Sequence, residues 1–131
     1  MSPLNVVDTS AWLEYLADSP RASLFADVIE APEHLLVPVI VLYEVIKWTQ
    51  RERGAAAAEA AREFLKRGHI IGMDEELIVS AASLKLPLAD SLIYATAQSH
   101  RATLWTQDAH FENLADVRYF AKPSRGTAIN Y

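Results

Sequence analysis

The sequence lacks cysteine, and its few glycines stand apart from one another. The absence of cysteine from all 131 residues excludes a disulfide framework, a thiolate metal site and a thiol nucleophile. The four glycines are scattered singly, which excludes a glycine-rich phosphate-binding loop. No stretch approaches the ~20 consecutive apolar residues of a membrane span. The beginning, residues 1–5, has no basic segment followed by an apolar run, so we expect no signal peptide, no membrane partner and a cytoplasmic location.

Positive charge is also scarce: the chain has 12 basic and 17 acidic residues, and its net charge is −5. This balance argues against a polybasic nucleic-acid binder. It leaves room for an enzyme whose carboxylates hold divalent cations, because a bound cation offsets the acidity locally. An apolar fraction of 51% is enough for a hydrophobic core. The length fits one domain, and no linker divides the chain, so we expect a single domain over residues 1–131.

Short apolar runs alternate with segments of helical periodicity, and this pattern predicts an α/β fold with a central, mainly parallel sheet. In such sheets, ligands bind beyond the carboxyl ends of the strands. Predicted strands occupy residues 4–7, 35–37, 69–72, 103–106 and 117–120.

Helix signals fill most of the intervening chain. A Ser-Pro pair at residues 19–20 predicts a helix start, and Gly54 predicts a break between two long helices. The tail from residue 121 contains Pro, Gly and Ser, and is expected to be irregular. Predicted helices occupy residues 9–17, 19–31, 39–53, 55–67, 74–84 and 90–100, with a helical turn at 111–114.

Acidic residues fall at the places where such a fold binds ligands. Asp8 and Asp108 follow predicted strands, and Asp90 begins a predicted helix. Glu44 lies inside an apolar helical segment and shares a face with Ile40 and Trp48, where an unpaired carboxylate is costly. Asp8 or Asp90 taken alone could be a helix cap, and Asp108 a loop residue.

Taken as a set, these acids indicate one site. Carboxylates that meet at one edge of a sheet need a counter-charge, and oxygen ligands of this kind suit Mg²⁺ or Mn²⁺. Without a metal they repel one another, so we expect at least one to have a raised pKa. The four histidines show no zinc-site spacing and are expected to be surface or satisfied residues.

At these residues the chain resembles the PIN-domain family, in particular the VapC-type ribonuclease toxins of type II toxin–antitoxin systems. The resemblance extends over nearly the whole chain, in order. The matching segments are residues 6–13 (VVDTSAWL), 37–45 (from VP to YEV), 86–97 (LPLADSLIYATA) and 104–111 (LWTQDAHF).

The resemblance implies a PIN-like three-layer α/β/α sandwich and a Mg²⁺- or Mn²⁺-dependent endoribonuclease that leaves 3′-hydroxyl and 5′-phosphate ends. Ser10 and Thr106 match supporting hydroxyl positions beside the acids. Among the acids, Glu44 either completes the metal site or acts as a base, and the residues alone do not decide between these roles. By motif match, the catalytic and metal-binding positions fall on Asp8, Glu44, Asp90 and Asp108.

The resemblance also implies three partners: an RNA substrate, a second copy of the chain in a homodimer, and a cognate antitoxin whose arginine enters the acidic pocket. Trp12, Leu16, Ile46 and Trp48 are candidates to line an antitoxin groove, although the core could claim any of them. The chain departs from the family pattern at His110, where many relatives have a further acid, and in a short segment between residues 68 and 90.

Two other hypotheses stay open at this point. One is a PIN-like module that has lost catalysis and binds RNA or protein, although all four acidic positions are filled. The other is a receiver-like signalling domain, which needs paired acids after its first strand and a lysine after a late strand. Here Val7 precedes Asp8, and Lys122 lies in the tail.

Overall fold

The computed structural model describes residues 3–123, and its centre is a sheet of five parallel strands. The strand order is β3-β2-β1-β4-β5, which confirms the predicted α/β class with a parallel sheet. This order differs from the 2-1-3-4-5 order of receiver-like folds, which argues against a signalling domain. The strands are β1 (Asn5–Val7), β2 (Leu35–Pro38), β3 (His69–Ile71), β4 (Thr103–Thr106) and β5 (Val117–Tyr119).

Six α-helices connect the strands or pack beside them. Two short 3₁₀ turns, Pro32–His34 and Ala109–Phe111, lead into β2 and follow β4. No helix within residues 3–123 is long and apolar enough to cross a membrane. The helices are α1 (Thr9–Leu16), α2 (Ser23–Ile29), α3 (Val39–Arg53), α4 (Ala55–Leu65), α5 (Glu75–Ala82) and α6 (Leu88–Ser99).

Both faces of the sheet are covered, as a three-layer sandwich requires. Successive side chains of a strand point to opposite faces. In β1, the neighbours Val6 and Val7 are both fully buried, and the same holds for nearly all of β2. The core also encloses Trp12 of α1, whose ring packs edge-on against Phe64 of α4. Trp12 therefore belongs to the core rather than to an open groove, whereas Trp48 is half-buried.

Local sequence signals explain most helix boundaries. Pro38 precedes α3 and Gly54 follows it, so that helix begins and ends where predicted. Gly54 has a φ of +92°, a backbone conformation that glycine adopts easily and that other residues rarely adopt. Asp74 caps α5 by accepting a hydrogen bond from the Leu77 amide at 2.9 Å, and α5 has eight residues, as the short 68–90 segment suggested.

Two predicted helix starts are wrong. Helix α2 begins at Ser23 rather than at residue 19, because the Ser19 hydroxyl accepts from the Arg21 amide in a turn that precedes the helix. Helix α6 begins at Leu88 with Pro87 at its N-cap, so Asp90 lies inside the first turn instead of capping it. The predicted irregular tail lies mostly outside the described residues, as do Met1 and Ser2.

Candidate metal centre

Asp8 lies where β1 ends and α1 begins, and its carboxylate is almost completely buried. Its Oδ1 accepts a hydrogen bond from the Ala11 amide at 3.0 Å, so Asp8 is the N-cap of α1, one of the roles predicted for it. The Ser10 hydroxyl donates to the same oxygen at 3.0 Å, and the Thr106 hydroxyl donates to Oδ2. Each carboxylate oxygen is thus hydrogen-bonded, which fixes the side chain's direction.

Asp108 follows the neighbouring strand, β4, and the register of the sheet brings it near Asp8. Val7 pairs with Trp105, and the Asp8 amide donates to the Trp105 carbonyl at 3.1 Å. The Asp108 amide donates to the Thr106 hydroxyl at 2.9 Å. Thr106 therefore links both aspartates through one hydroxyl group.

Glu44 and Asp90 reach the same place from helices. Glu44 lies on the half-buried face of α3 with Ile40 and Trp48, as its spacing predicted, and one of its oxygens accepts from the Thr9 hydroxyl. Asp90 projects from the first turn of α6 and is half-buried. Neither Ile40 nor Trp48 offers the counter-charge that a carboxylate on an apolar face needs.

The four predicted acids converge on one open cleft of about 360 Å³ at the carboxyl edge of the sheet. They come from positions spread over a hundred residues of sequence, so the fold alone brings them together. Within the described part of the chain, Lys122 is the basic residue among those that line the cleft. The lining residues are Asp8, Thr9, Ser10, Leu13, Glu44, Trp48, Asp90, Ile93, Asp108 and Lys122.

Two of these carboxyl groups have raised pKa values. Burial raises the pKa of Asp8 to about 6, against the lowering effect of the hydrogen bonds from Thr106, Ala11 and Ser10. Burial also raises the pKa of Asp90, and the nearby charge of Asp108 adds to the effect. A raised pKa was expected from repulsion between the acids, but loss of hydration is the larger cause in both cases.

His110 contacts two of the cleft's carboxylates, a role that the sequence analysis did not assign to it. Its side chain is 56% exposed, in line with a surface histidine, yet its Nδ1 lies 2.7 Å from Asp90 Oδ2 and 3.2 Å from Asp108 Oδ1. The two carboxylates raise the pKa of His110, the hydrogen bond to Asp90 being the largest cause. Among residues 3–123, Asp90, Asp108 and His110 form a trio whose potential ligand atoms all lie within 4.8 Å of one another. The signal was the departure from the family pattern two residues after Asp108.

Arg21 holds the tail beside the cleft, a second arrangement that the sequence did not reveal. Its guanidinium donates to the side chain of Gln107 at 2.7 Å and to the carbonyls of Phe120 and Ala121 at 3.0 and 3.1 Å. The buried carboxylate of Glu14 lies 3.5 Å from Arg21 Nε and pairs its charge. The chain is thereby fixed directly before Lys122.

Solved structures with the same fold come from several bacteria. The chain is 24% identical to a chain of a toxin–antitoxin complex from Klebsiella pneumoniae, with a TM-score of 0.75, covering 89% of this chain and 98% of that one. It is 18% identical to VapC20 of Mycobacterium tuberculosis, titled a sarcin–ricin loop cleaving toxin, with a TM-score of 0.71 and coverage of 86% and 96%. The DNA-bound VapBC of Salmonella typhimurium gives 16% identity, a TM-score of 0.71 and coverage of 92% and 98%.

The comparison of sequences completes these findings. No curated protein matches the chain. The family model described as "PIN domain" matches residues 6–117, a span that includes all four acids of the cleft and all of the sheet except Asn5, Arg118 and Tyr119. The chain therefore belongs to the PIN domain family.

Proposed function

We propose that this protein is a divalent-cation-dependent endoribonuclease and the toxin of a toxin–antitoxin pair. The observation that carries the proposal is the convergence of Asp8, Glu44, Asp90 and Asp108 on one cleft in a PIN-domain chain. A chain that had lost catalysis would have no need to keep four carboxylates together against burial and repulsion.

The donor set fits a divalent cation. Carboxylate oxygens are ligands that Mg²⁺ and Mn²⁺ accept, and the cleft is open enough for waters to complete the shell. Asp90 and Asp108 are half-buried and face each other across the cleft, so they would hold the cation directly. Asp8 already accepts three hydrogen bonds, so it would contribute its remaining lone pair or act through water.

The remaining side chains are suited to the other tasks of phosphodiester hydrolysis. A divalent cation in this cleft would supply Lewis-acid chemistry, lowering the pKa of adjacent water and offsetting charge on the phosphate. The Thr9 hydroxyl fixes one oxygen of Glu44, which suits Glu44 to orient or deprotonate an attacking water. The ammonium group of Lys122 lies on the same cleft wall and would pair with a phosphate of the substrate.

The cleft and the comparisons support two partners for this proposal. The Klebsiella pneumoniae structure is a toxin–antitoxin complex, and the Mycobacterium tuberculosis toxin cleaves a sarcin–ricin loop. We extend an RNA substrate and a protein antitoxin to this chain. An arginine of the antitoxin would suit the acidic cleft, because its planar guanidinium binds carboxylates in a bidentate manner. A homodimer, a single domain over residues 1–131 and a cytoplasmic location stay predictions.

The test combines RNA cleavage with growth. Purified wild-type protein, incubated with a pool of structured cellular RNAs, should cleave them with Mg²⁺ or Mn²⁺ and leave 5′-phosphate ends, and a chelator should stop it. Asp90→Asn should abolish cleavage, while Asp27→Asn, an exposed acid of α2 outside the cleft, should not. Expression of the wild-type chain should arrest growth of a bacterial host, and expression of Asp90→Asn should not.

Three outcomes would change the assignment. RNA that is bound but never cut would favour the inactive binding module. Cleavage that survives Asp90→Asn would refute the metal site. Cleavage in vitro by a chain that is harmless in cells would keep the nuclease and refute the toxin role.

A further inference from the structure

The imidazole of His110 is placed as a ligand would be. Its Nδ1 is the ring atom that faces Asp90 and Asp108, at 2.7 and 3.2 Å from their nearest oxygens. The His110 amide also donates to Asp108 Oδ1 at 2.9 Å, which ties the 3₁₀ turn after β4 to the same carboxylate. In the absence of a cation this position lets the imidazole hydrogen-bond to Asp90, and the same nitrogen is the atom that a cation held by both carboxylates would meet.

The spacing of these three atoms corresponds to one coordination shell. Neighbouring ligands at right angles around a cation with metal–ligand distances of about 2.1 Å are about 3.0 Å apart. The observed separations of 2.7 and 3.2 Å fall on either side of that value. The potential ligand atoms of all three residues lie within 4.8 Å of one another, so one cation could contact Nδ1 and an oxygen of each carboxylate.

We propose that His110 Nδ1, Asp90 and Asp108 bind the catalytic cation together, and that the nitrogen makes this site prefer a first-row transition ion such as Mn²⁺ over Mg²⁺. The inference rests on the proposed function, because it concerns the cation that function requires. It differs from that function in assigning a nitrogen ligand where an all-carboxylate site would have oxygen.

The chemistry of the ligands gives the direction of the preference. Mg²⁺ is a hard cation that favours oxygen and keeps its waters, whereas imidazole binds the first-row transition ions well. Replacing one carboxylate by imidazole also removes a negative charge, which weakens Mg²⁺ binding more than that of an ion able to use the nitrogen. Compared with an all-carboxylate site, a site that includes His110 would therefore attract divalent cations less strongly by charge and would discriminate more strongly between them.

The experiment measures metal binding without RNA. Metal-free wild-type protein is titrated calorimetrically with Mn²⁺ and with Mg²⁺, and the Mn²⁺ complex is examined by pulsed electron paramagnetic resonance for coupling to ¹⁴N. His110→Asp restores a carboxylate and is the matched variant, and His34→Ala controls for loss of a partly exposed histidine elsewhere. Circular dichroism confirms that each variant is folded.

The wild type should show ¹⁴N coupling, which His110→Asp should lose and His34→Ala should keep. The ratio of Mn²⁺ to Mg²⁺ affinity should fall by about tenfold in His110→Asp, the loss expected for one specific ligand interaction. Absence of ¹⁴N coupling in the wild type, or an affinity ratio unchanged by His110→Asp, would overturn the inference.

The proposed function fails by different results. If Mg²⁺ supports RNA cleavage equally in the wild type and His110→Asp, the nuclease stands and the role of His110 falls. If Asp90→Asn still cleaves RNA, the nuclease assignment itself is wrong, whatever the ¹⁴N spectrum shows.

Discussion

Replacing Asp8 by Asn should stabilise the metal-free protein at neutral pH, although Asp8 is both a helix cap and a predicted catalytic residue. Burial raises the pKa of Asp8 from 3.8 to about 6, so its charged form is disfavoured in the folded state. A difference of about two pKa units at 1.36 kcal/mol each corresponds to about 3 kcal/mol of free energy of unfolding.

The sign follows from which state releases its proton first. Below about pH 4 the carboxyl group is protonated in both states, and no penalty exists. Between pH 4 and pH 6 the unfolded chain ionises while the folded protein keeps its proton, so stability falls as pH rises. Above pH 6 both states are ionised, and the full penalty of about 3 kcal/mol remains.

Asn lacks this titration and keeps most of the contacts. Its side-chain oxygen still accepts from the Ala11 amide, whereas its amide group must donate to the Thr106 hydroxyl, which costs about 1 kcal/mol. Asp8→Asn should therefore be more stable than the wild type by about 2 kcal/mol at pH 7.5, or about 6–10 °C in Tm. At pH 4 the advantage should disappear or reverse.

The assay is urea unfolding in chelator at pH values from 4 to 7.5, followed by tryptophan fluorescence and circular dichroism. The matched control is Asp74→Asn, an exposed N-cap residue of α5 outside the cleft, which should stay within about 0.5 kcal/mol of the wild type at pH 7.5 because Asn and Asp cap equally well. The reasoning would be refuted if the stability difference between Asp8→Asn and the wild type did not change with pH. It would also be refuted if Asp8→Asn lost more than about 2 kcal/mol of free energy of unfolding at pH 7.5.

Three further substitutions test individual contacts of the cleft. Lys122→Met should weaken RNA binding and reduce the slope of log affinity against log salt by about 0.7, the value expected for one lost phosphate contact to a single strand. Lys122→Arg should preserve both the affinity and the slope. Filter binding at several salt concentrations measures both quantities. Thr106→Val should lower the free energy of unfolding by about 1–3 kcal/mol in urea, because the buried hydroxyl that serves Asp8 and the Asp108 amide is lost; an unchanged midpoint would contradict this. Thr9→Val should lower kcat about tenfold with little change in Tm, since it frees the Glu44 carboxylate; a fall in Tm alone would make Thr9 merely structural.

Local signals in the sequence were sufficient where short-range physics decides the structure. Pro38 and Gly54 bound α3 on both sides, and the position of Glu44 on its half-buried face followed from helical periodicity alone. The alternation of apolar runs and helices predicted the parallel sheet and placed Asp8 and Asp108 at its carboxyl edge, whereas the strand order that makes β1 and β4 neighbours was not predicted.

The features that could not be predicted all depend on contacts between distant segments. Arg21, in the turn before α2, donates to the Gln107 side chain and to the Phe120 carbonyl, which lie 86 and 99 residues further along the chain. The rotation of the His110 ring towards Asp90 depends on how the 3₁₀ turn after β4 lies against the first turn of α6. No periodicity or capping rule contains that information.

The strand order also governs when the cleft can assemble during synthesis of the chain. The first strand made, β1, lies at the centre of the sheet and must wait for β4, about a hundred residues later, to fill one of its edges. A ribosome adds roughly 5–20 residues per second, so the nascent chain spends seconds before β4 and Asp108 are available to complete the cleft. Asp108 and His110 leave the ribosome after every helix of the chain's first hundred residues. A chain cut short before β4 would carry Asp8, Glu44 and Asp90 without the strand that assembles them with Asp108, so under the proposed function truncated translation products should lack nuclease activity.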